Sequence, residues 1–180
     1  AVVEGWGSWD YRGINIHGRA DRIDRLADGT LAIVDYKTGK PPGNKQVKDG
    51  FALQLGTLGL IAENAEFVQT KGEGEDKRVV ARASGQATAF EYWSLAKDKD
   101  SATGFGYIAT PIKVSARHGG VEQEDFLPLI RTYLDDALDR WILGSEPFTA
   151  TVQPDLPRYG EYDQLMRLAE WLGREGGDPR

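Results

Sequence analysis

The chain has no cysteine, two histidines and one methionine among its 180 residues. Without cysteine there are no disulfides, no zinc-thiolate sites and no iron–sulfur cluster. The two histidines, His17 and His118, have no metal-ligand spacing and read as structural. No apolar run approaches the length of a membrane span, and no secretory signal pattern is present. Walker A loops, dinucleotide-binding glycine patterns and hydrolase elbows are also missing. Any ATP-driven motor this chain works with lies elsewhere. Basic charge is in short supply as well. Lys and Arg number 22 against 28 Asp and Glu, for a net charge of −6. That balance is unpromising for an autonomous nucleic-acid binder.

What is present is an ordinary globular composition, with enough length for one domain with a real core. Two apolar strands read from Gly13 to Leu26 and from Leu31 to Thr38, joined by Leu26-Ala27-Asp28-Gly29-Thr30. The second strand runs Leu31-Ala32-Ile33-Val34 straight into Asp35-Tyr36-Lys37. Alternation puts Asp35 and Lys37 on one face, about 7 Å apart. Gly29 suits the left-handed residue of a three-residue loop, in which paired numbers sum to 56. Asp21 then faces Asp35 at about 5 Å. A two-residue Asp28-Gly29 loop would sum to 57 and bring Arg22 to that position, with Asp24 in place of Asp21. The sequence leaves both registers open. Two carboxylates face to face destabilise a sheet, and a divalent cation reverses that sign.

Around this pair, four lysines (Lys37, Lys40, Lys45, Lys48) fall between Tyr36 and Lys48 with no acid among them. They suit either a solvated loop or phosphate contact. Gln54 opens a helix expected over Phe51 to Ala65, with Phe51, Leu55, Leu58 and Ala62 at core spacing. Gly56 and Gly59 mark close approach to the sheet or weaken the helix. Asp24 belongs to the site or pairs with Arg22 or Arg25. Glu4 is a further acid with nothing local to support it.

Elsewhere, residues 1–12 read as an edge segment or a loop on the sheet, and 69–78 as a mobile loop. Thr88 to Leu95 reads as a third strand, and Gly104 to Val114 as another. Glu122 to Leu143 reads as an amphipathic helix with Leu127, Ile130, Leu134, Leu138 and Trp141 along one stripe. Pro128 fits its first turn and Gly144 its C-terminal cap. A second helix is expected over Tyr162 to Leu172, followed by a frayed tail over 173–180. The tryptophans sit at core-like positions. These elements describe an α/β domain with a mixed central β-sheet flanked by helices. The opening at Ala1 rather than Met suggests a fragment of a larger subunit.

Three stretches carry a family resemblance: Gly18-Arg19-Ala20-Asp21-Arg22-Ile23-Asp24, Asp35-Tyr36-Lys37-Thr38-Gly39 and Gln54-Leu55. Through them the chain resembles the RecB-type branch of the PD-(D/E)xK nuclease superfamily, which has a restriction-endonuclease-like fold. Pro147-Phe148 and the segment Tyr162 to Trp171 narrow the likeness to the AddB family's C-terminal nuclease domain, in its alphaproteobacterial form. The resemblance implies a single nuclease domain over 1–180 and Mg²⁺, or Mn²⁺ in its place, held by Asp21, Asp35 and the Tyr36 carbonyl. Lys37 would be the catalytic lysine and Gln54 the motif glutamine, making Asp21, Asp35, Lys37 and Gln54 the catalytic set. It implies DNA as substrate, as single strands from unwound ends, with Lys40, Lys45 and Lys48 as DNA contacts. It further implies an AddA-type helicase–nuclease partner, repair by recombination, and a bacterial cytoplasmic location without membrane. Two alternatives stand beside it. One is a non-catalytic DNA-binding or scaffold module of nuclease fold. The other is a stand-alone nuclease of the Cas4 or phage exonuclease type.

Overall fold

The computed structural model describes residues 1–115 and 119–147. His118, Phe148, the expected helix over Tyr162 to Leu172 and the tail over 173–180 lie outside the described residues. The chain divides into two units, Ala1–Ala137 and Leu138–Arg180. Among the described residues, no helix is long and apolar enough to cross a membrane.

The first unit is built on a seven-stranded mixed sheet, an α/β architecture. Its strands are β1 (Val2–Tyr11), β2 (Ile14–Arg25), β3 (Leu31–Lys37), β4 (Phe67–Lys71), β5 (Arg78–Ala83), β6 (Ala87–Lys97) and β7 (Phe105–Ala109). They lie in the order β5-β4-β1-β2-β3-β6-β7. Only β3 and β6 pair in parallel, and the other neighbours are antiparallel. The helices are α1 (Asn44–Lys48), α2 (Gln54–Asn64) and α3 (Gln123–Ala137). Leu55, Leu58, Ile61 and Ala62 of α2 and Phe126 and Ile130 of α3 share one buried core with Ile23, Ile33, Phe67 and Phe90 of the sheet.

The β2–β3 hairpin closes through a three-residue loop. Leu26 donates to the Thr30 carbonyl at 2.8 Å, and Gly29 takes φ +87°. Asp28 fixes this turn by accepting from the Thr30 amide and hydroxyl at 2.9 and 2.7 Å. The strands therefore pair Arg22 with Val34 and Ile23 with Ile33, the register whose numbers sum to 56. Gly59 explains how α2 gets so near the sheet. A Cβ there would stand 2.6 Å from the Phe90 ring, well inside van der Waals contact.

Several elements differ from the sequence expectation. Residues 2–11 are a strand between β2 and β4, not an edge or a loop. The 69–78 segment is the turn and flanks of the β4–β5 hairpin. Phe51 precedes α2 and is exposed. Trp6 is 58% exposed rather than core. Pro128 sits in the second turn of α3, not the first. That helix ends at Ala137. In the second unit Leu138–Ile142 forms a π-helical turn, with Leu143 donating to the Leu138 carbonyl at 2.8 Å.

Candidate active site

The strand alternation that should govern β1 and β2 breaks at one place. A Cβ on Gly18 would meet Leu58 of α2 at 3.1 Å, so this even-numbered position faces the helices. Ile23, an odd-numbered position, faces them too, since it pairs with Ile33 and Ile33 with Phe90, which abuts α2. The face switches between those points, at Asp21-Arg22. Opposite, the β1 ladder skips Glu4, which takes φ +51° between Val3 and Gly5. A non-glycine residue in the left-handed region costs on the order of 1–3 kcal/mol. The distortion therefore lies beside the first acid of the pattern.

Asp21, released from regular pleating, accepts the Tyr36 backbone N–H at 2.8 Å through Oδ2. That contact ties it to the residue between Asp35 and Lys37. Asp35 lies on the helix-facing side of β3, alongside its Cα partner Tyr92 on β6, and is only 3% exposed. Lys37 Nζ reaches back to Asp35 Oδ2 at 2.7 Å and donates to Gln54 Oε1 at 3.1 Å. Gln54 is the first residue of α2. The ammonium thus bridges a strand carboxylate and a helix-terminal amide. Its contact with Asp35 is a short ion pair, made to a carboxylate oxygen that is closed off from water. Burial pushes the Asp35 carboxyl above its ordinary range. Lys37 opposes that rise, and the charge of Asp21 adds to it.

Asp24 does not join this group. It accepts from Arg22 Nε at 2.6 Å, and Arg22 also sits 5.3 Å from the Trp93 ring centre. Glu4 is exposed and paired with Arg19 at 3.2 Å. His17 is exposed, beside the Trp6 ring.

The basic loop divides in two. Lys37 and Lys40 line an open groove of about 520 Å³ together with Pro41, Pro42, Gly43 and Gln46. Lys45 and Lys48 lie on α1 and are not among the lining residues, and Lys45 pairs with Asp49 at 2.7 Å. The loop is anchored by Ser94, whose buried hydroxyl donates to the Gly39 carbonyl at 2.9 Å. Neither Ser94 nor Tyr92 stood out in the sequence, where a strand of alternating aromatics reads as packing.

Among the described residues, no group of three or more His, Asp or Glu side chains gathers as a metal site. The donors at hand are two carboxylates and main-chain carbonyls. That is a set suited to Mg²⁺, which takes one or two carboxylates and keeps several waters. Asp35, destabilised as an anion by burial and by the charge of Asp21, suits added positive charge of the same kind.

The profile of the PD-(D/E)XK nuclease superfamily matches residues 2–156. The chain belongs to the PD-(D/E)XK nuclease superfamily. Members of this superfamily are generally metal-dependent nucleases, typically with Mg²⁺. Comparisons with curated proteins and with solved structures return no match.

Proposed function

We propose that this superfamily member is a working deoxyribonuclease domain dependent on a divalent cation. The observation that supports it is the convergence of Asp35, Lys37 and Gln54, with Asp21 held next to them through the Tyr36 amide. Asp21, Asp35 and the Tyr36 carbonyl are the residues that would hold Mg²⁺. Such an ion supplies a water of lowered pKa and neutralises charge gathering on the phosphodiester. Lys37 stabilises that charge with a fixed ammonium, and Gln54 keeps the ammonium from swinging into solvent. The N-terminus of α2 has no acid in its first turn, so its positive end favours a phosphate there. Lys40, at the same groove, contacts the strand backbone, with Lys45 and Lys48 further along.

The substrate in this reading is single-stranded DNA delivered by a helicase. With the C-terminal segments of the sequence, this favours an AddB-type nuclease domain partnered by an AddA-type helicase–nuclease in the bacterial cytoplasm. There it would process double-strand break ends for recombination. The net acidic charge fits if most DNA affinity resides in the partner. A non-catalytic scaffold is the less economical reading, because burying Asp35 beside another carboxylate costs stability that a scaffold has no use for.

The test is a melting series with Mg²⁺ or Mn²⁺. The unmodified chain gains stability with metal and Asp35→Ala loses that gain. A chain indifferent to both cations would not be a metal-dependent nuclease.

A further inference from the structure

The groove beside Lys37 holds a donor that the proposed reaction does not use. Gln46 lines it together with Lys37, Lys40, Pro41, Pro42 and Gly43. The Gly43 backbone N–H donates to Gln46 Oε1 at 2.9 Å. A main-chain N–H can only donate, so the amide turns its oxygen towards Gly43. Gln46 Nε2 is left over, and it makes no hydrogen bond among the described residues. Lys40 likewise makes no ion pair among them. No carboxylate lines the groove, and Lys37 is already met by Asp35. The uncompensated charge is therefore that of Lys40. The walls carrying these groups are fixed. Pro41 and Val47 are buried, and Ser94 holds the Gly39 carbonyl. At the far end of α1 the Tyr133 hydroxyl donates to the Lys48 carbonyl at 2.7 Å. The Tyr133 ring leaves no room for a side chain at Gly50, where a Cβ would stand 2.8 Å away.

We infer that Lys40 and Gln46 form a subsite for the phosphate next to the scissile one along the DNA strand. The inference rests on the nuclease reading above, in which Lys37 serves the scissile phosphate. Lys37 lines the same groove, so a strand engaged there runs on past Lys40 and Gln46. Phosphate oxygens only accept, and the two side chains offer an ammonium and an amide NH₂. Five residues make α1 too short for its end to draw an anion, so the side chains carry the contact. The lysine supplies a mobile point charge, and the tethered amide supplies a fixed direction. Binding energy gained at a phosphate that does not react serves to place the one that does. The site in this form asks for a strand rather than a single nucleotide.

The experiment is steady-state cleavage of short labelled single-stranded DNA by the full chain with Mg²⁺. One arm replaces the phosphate next to the cleaved bond, on each side in turn, by an uncharged methylphosphonate. The other arm compares the unmodified protein with Gln46→Glu. That carboxylate still accepts from the Gly43 N–H, since Glu and Gln serve alike at this position of a helix. It replaces a donor with a negative charge. The expected result for the unmodified protein is a KM about tenfold higher with the methylphosphonate at one of the two positions. Gln46→Glu shows a rise of that size with the ordinary substrate, at the parent's melting temperature and metal response. It loses nothing further when the methylphosphonate occupies that position. No effect of the methylphosphonate on either side overturns the subsite. A methylphosphonate penalty of equal size in both proteins overturns it too, because Gln46 would then not touch that phosphate. No cleavage of the ordinary substrate by the unmodified protein overturns the nuclease reading and the subsite with it. That outcome is seen before any substitution is made and cannot be mistaken for the other two.

Discussion

Each face of the sheet carries one aspartate–cation pair beside β3, and the two pairs are almost equally short. On the helix side Lys37 meets Asp35 at 2.7 Å, and on the other side Arg22 meets Asp24 at 2.6 Å. Their surroundings could hardly differ more. Arg22 is held by Asp24, by Tyr36 and by the Trp93 ring, and its guanidinium is the more strongly protonated for it. Both side chains keep water contact. Asp35 is sealed, beside another carboxylate, with its pKa driven up by burial. The lesson is that contact distance does not distinguish a structural ion pair from a working one. What distinguishes them is burial and neighbouring charge. Arg22–Asp24 keeps its water, whereas Asp35 is buried beside a second carboxylate, and added positive charge relieves both penalties.

Lys37→Ala breaks the comparison hardest. Removing a charge fixed at the transition state costs about 10²–10³ in rate, so cleavage of labelled single-stranded DNA falls by at least that factor. The folded state also suffers, because a buried carboxylate loses its counter-charge. Lys37 is 29% exposed, so the penalty stays below the about 3–5 kcal/mol of a dry pair. The loss has a definite pH sign. The folded pKa of Asp35 lies above its ordinary value, and removing Lys37 raises it further. Stability is then fully present below pH 3.8 and is lost as pH rises through the folded pKa. Melting of Lys37→Ala measured from pH 7 downward therefore converges on the parent. Undiminished cleavage would remove Lys37 from the chemistry.

Asp35→Asn sharpens the comparison from the other partner. The amide keeps the shape but needs no counter-charge. It relieves both desolvation and the repulsion from Asp21. We expect the metal-free melting temperature at pH 7 to hold or rise, its acid-side pH dependence to flatten, and the gain from Mg²⁺ to vanish. A stability trade of this kind is common at functional sites. If the metal-free protein instead melts much earlier, the Asp35–Lys37 pair serves the fold.

The sequence carried the centre of this site but not its rim. The hairpin was readable because Asp28-Gly29 encodes its turn, and Asp35 and Lys37 follow from alternation along an apolar strand. Its register was a choice between two loops, decided only by how Gly29 and Thr30 close the turn. β1 was unreadable as an interior strand because two of its helix-facing positions, Gly5 and Gly7, have no side chain to register as apolar. Val2 takes the space beside Gly5, and Phe67 and Ile61 the space beside Gly7. The β4–β5 hairpin escaped notice because its tip is polar and exposed on both strands. The face switch at Glu4 and Asp21 has no sequence signal, since the residue in the left-handed conformation is Glu4 and not the glycine after it. Tyr92 was hidden for a different reason. Its neighbours Phe90 and Trp93 made an aromatic strand look like core, and only three-dimensional accounting shows that its buried hydroxyl has no hydrogen-bond partner among the described residues.

The smallest effect belongs to the open-face pair. Asp24→Asn removes the carboxylate beside Arg22 but leaves Tyr36 and Trp93 in contact with the guanidinium. Partly exposed pairs contribute little, and the remaining contacts offset part of the loss. The melting temperature drops slightly, while cleavage and the Mg²⁺-induced gain match the parent. Raising salt should shrink even that small difference, because the pair is screened where Asp35–Lys37 is not. The decisive readout is the metal response. If Asp24→Asn weakens it as Asp35→Asn does, the two faces are not separate, and the ligand set must be redrawn to include Asp24 across the strand.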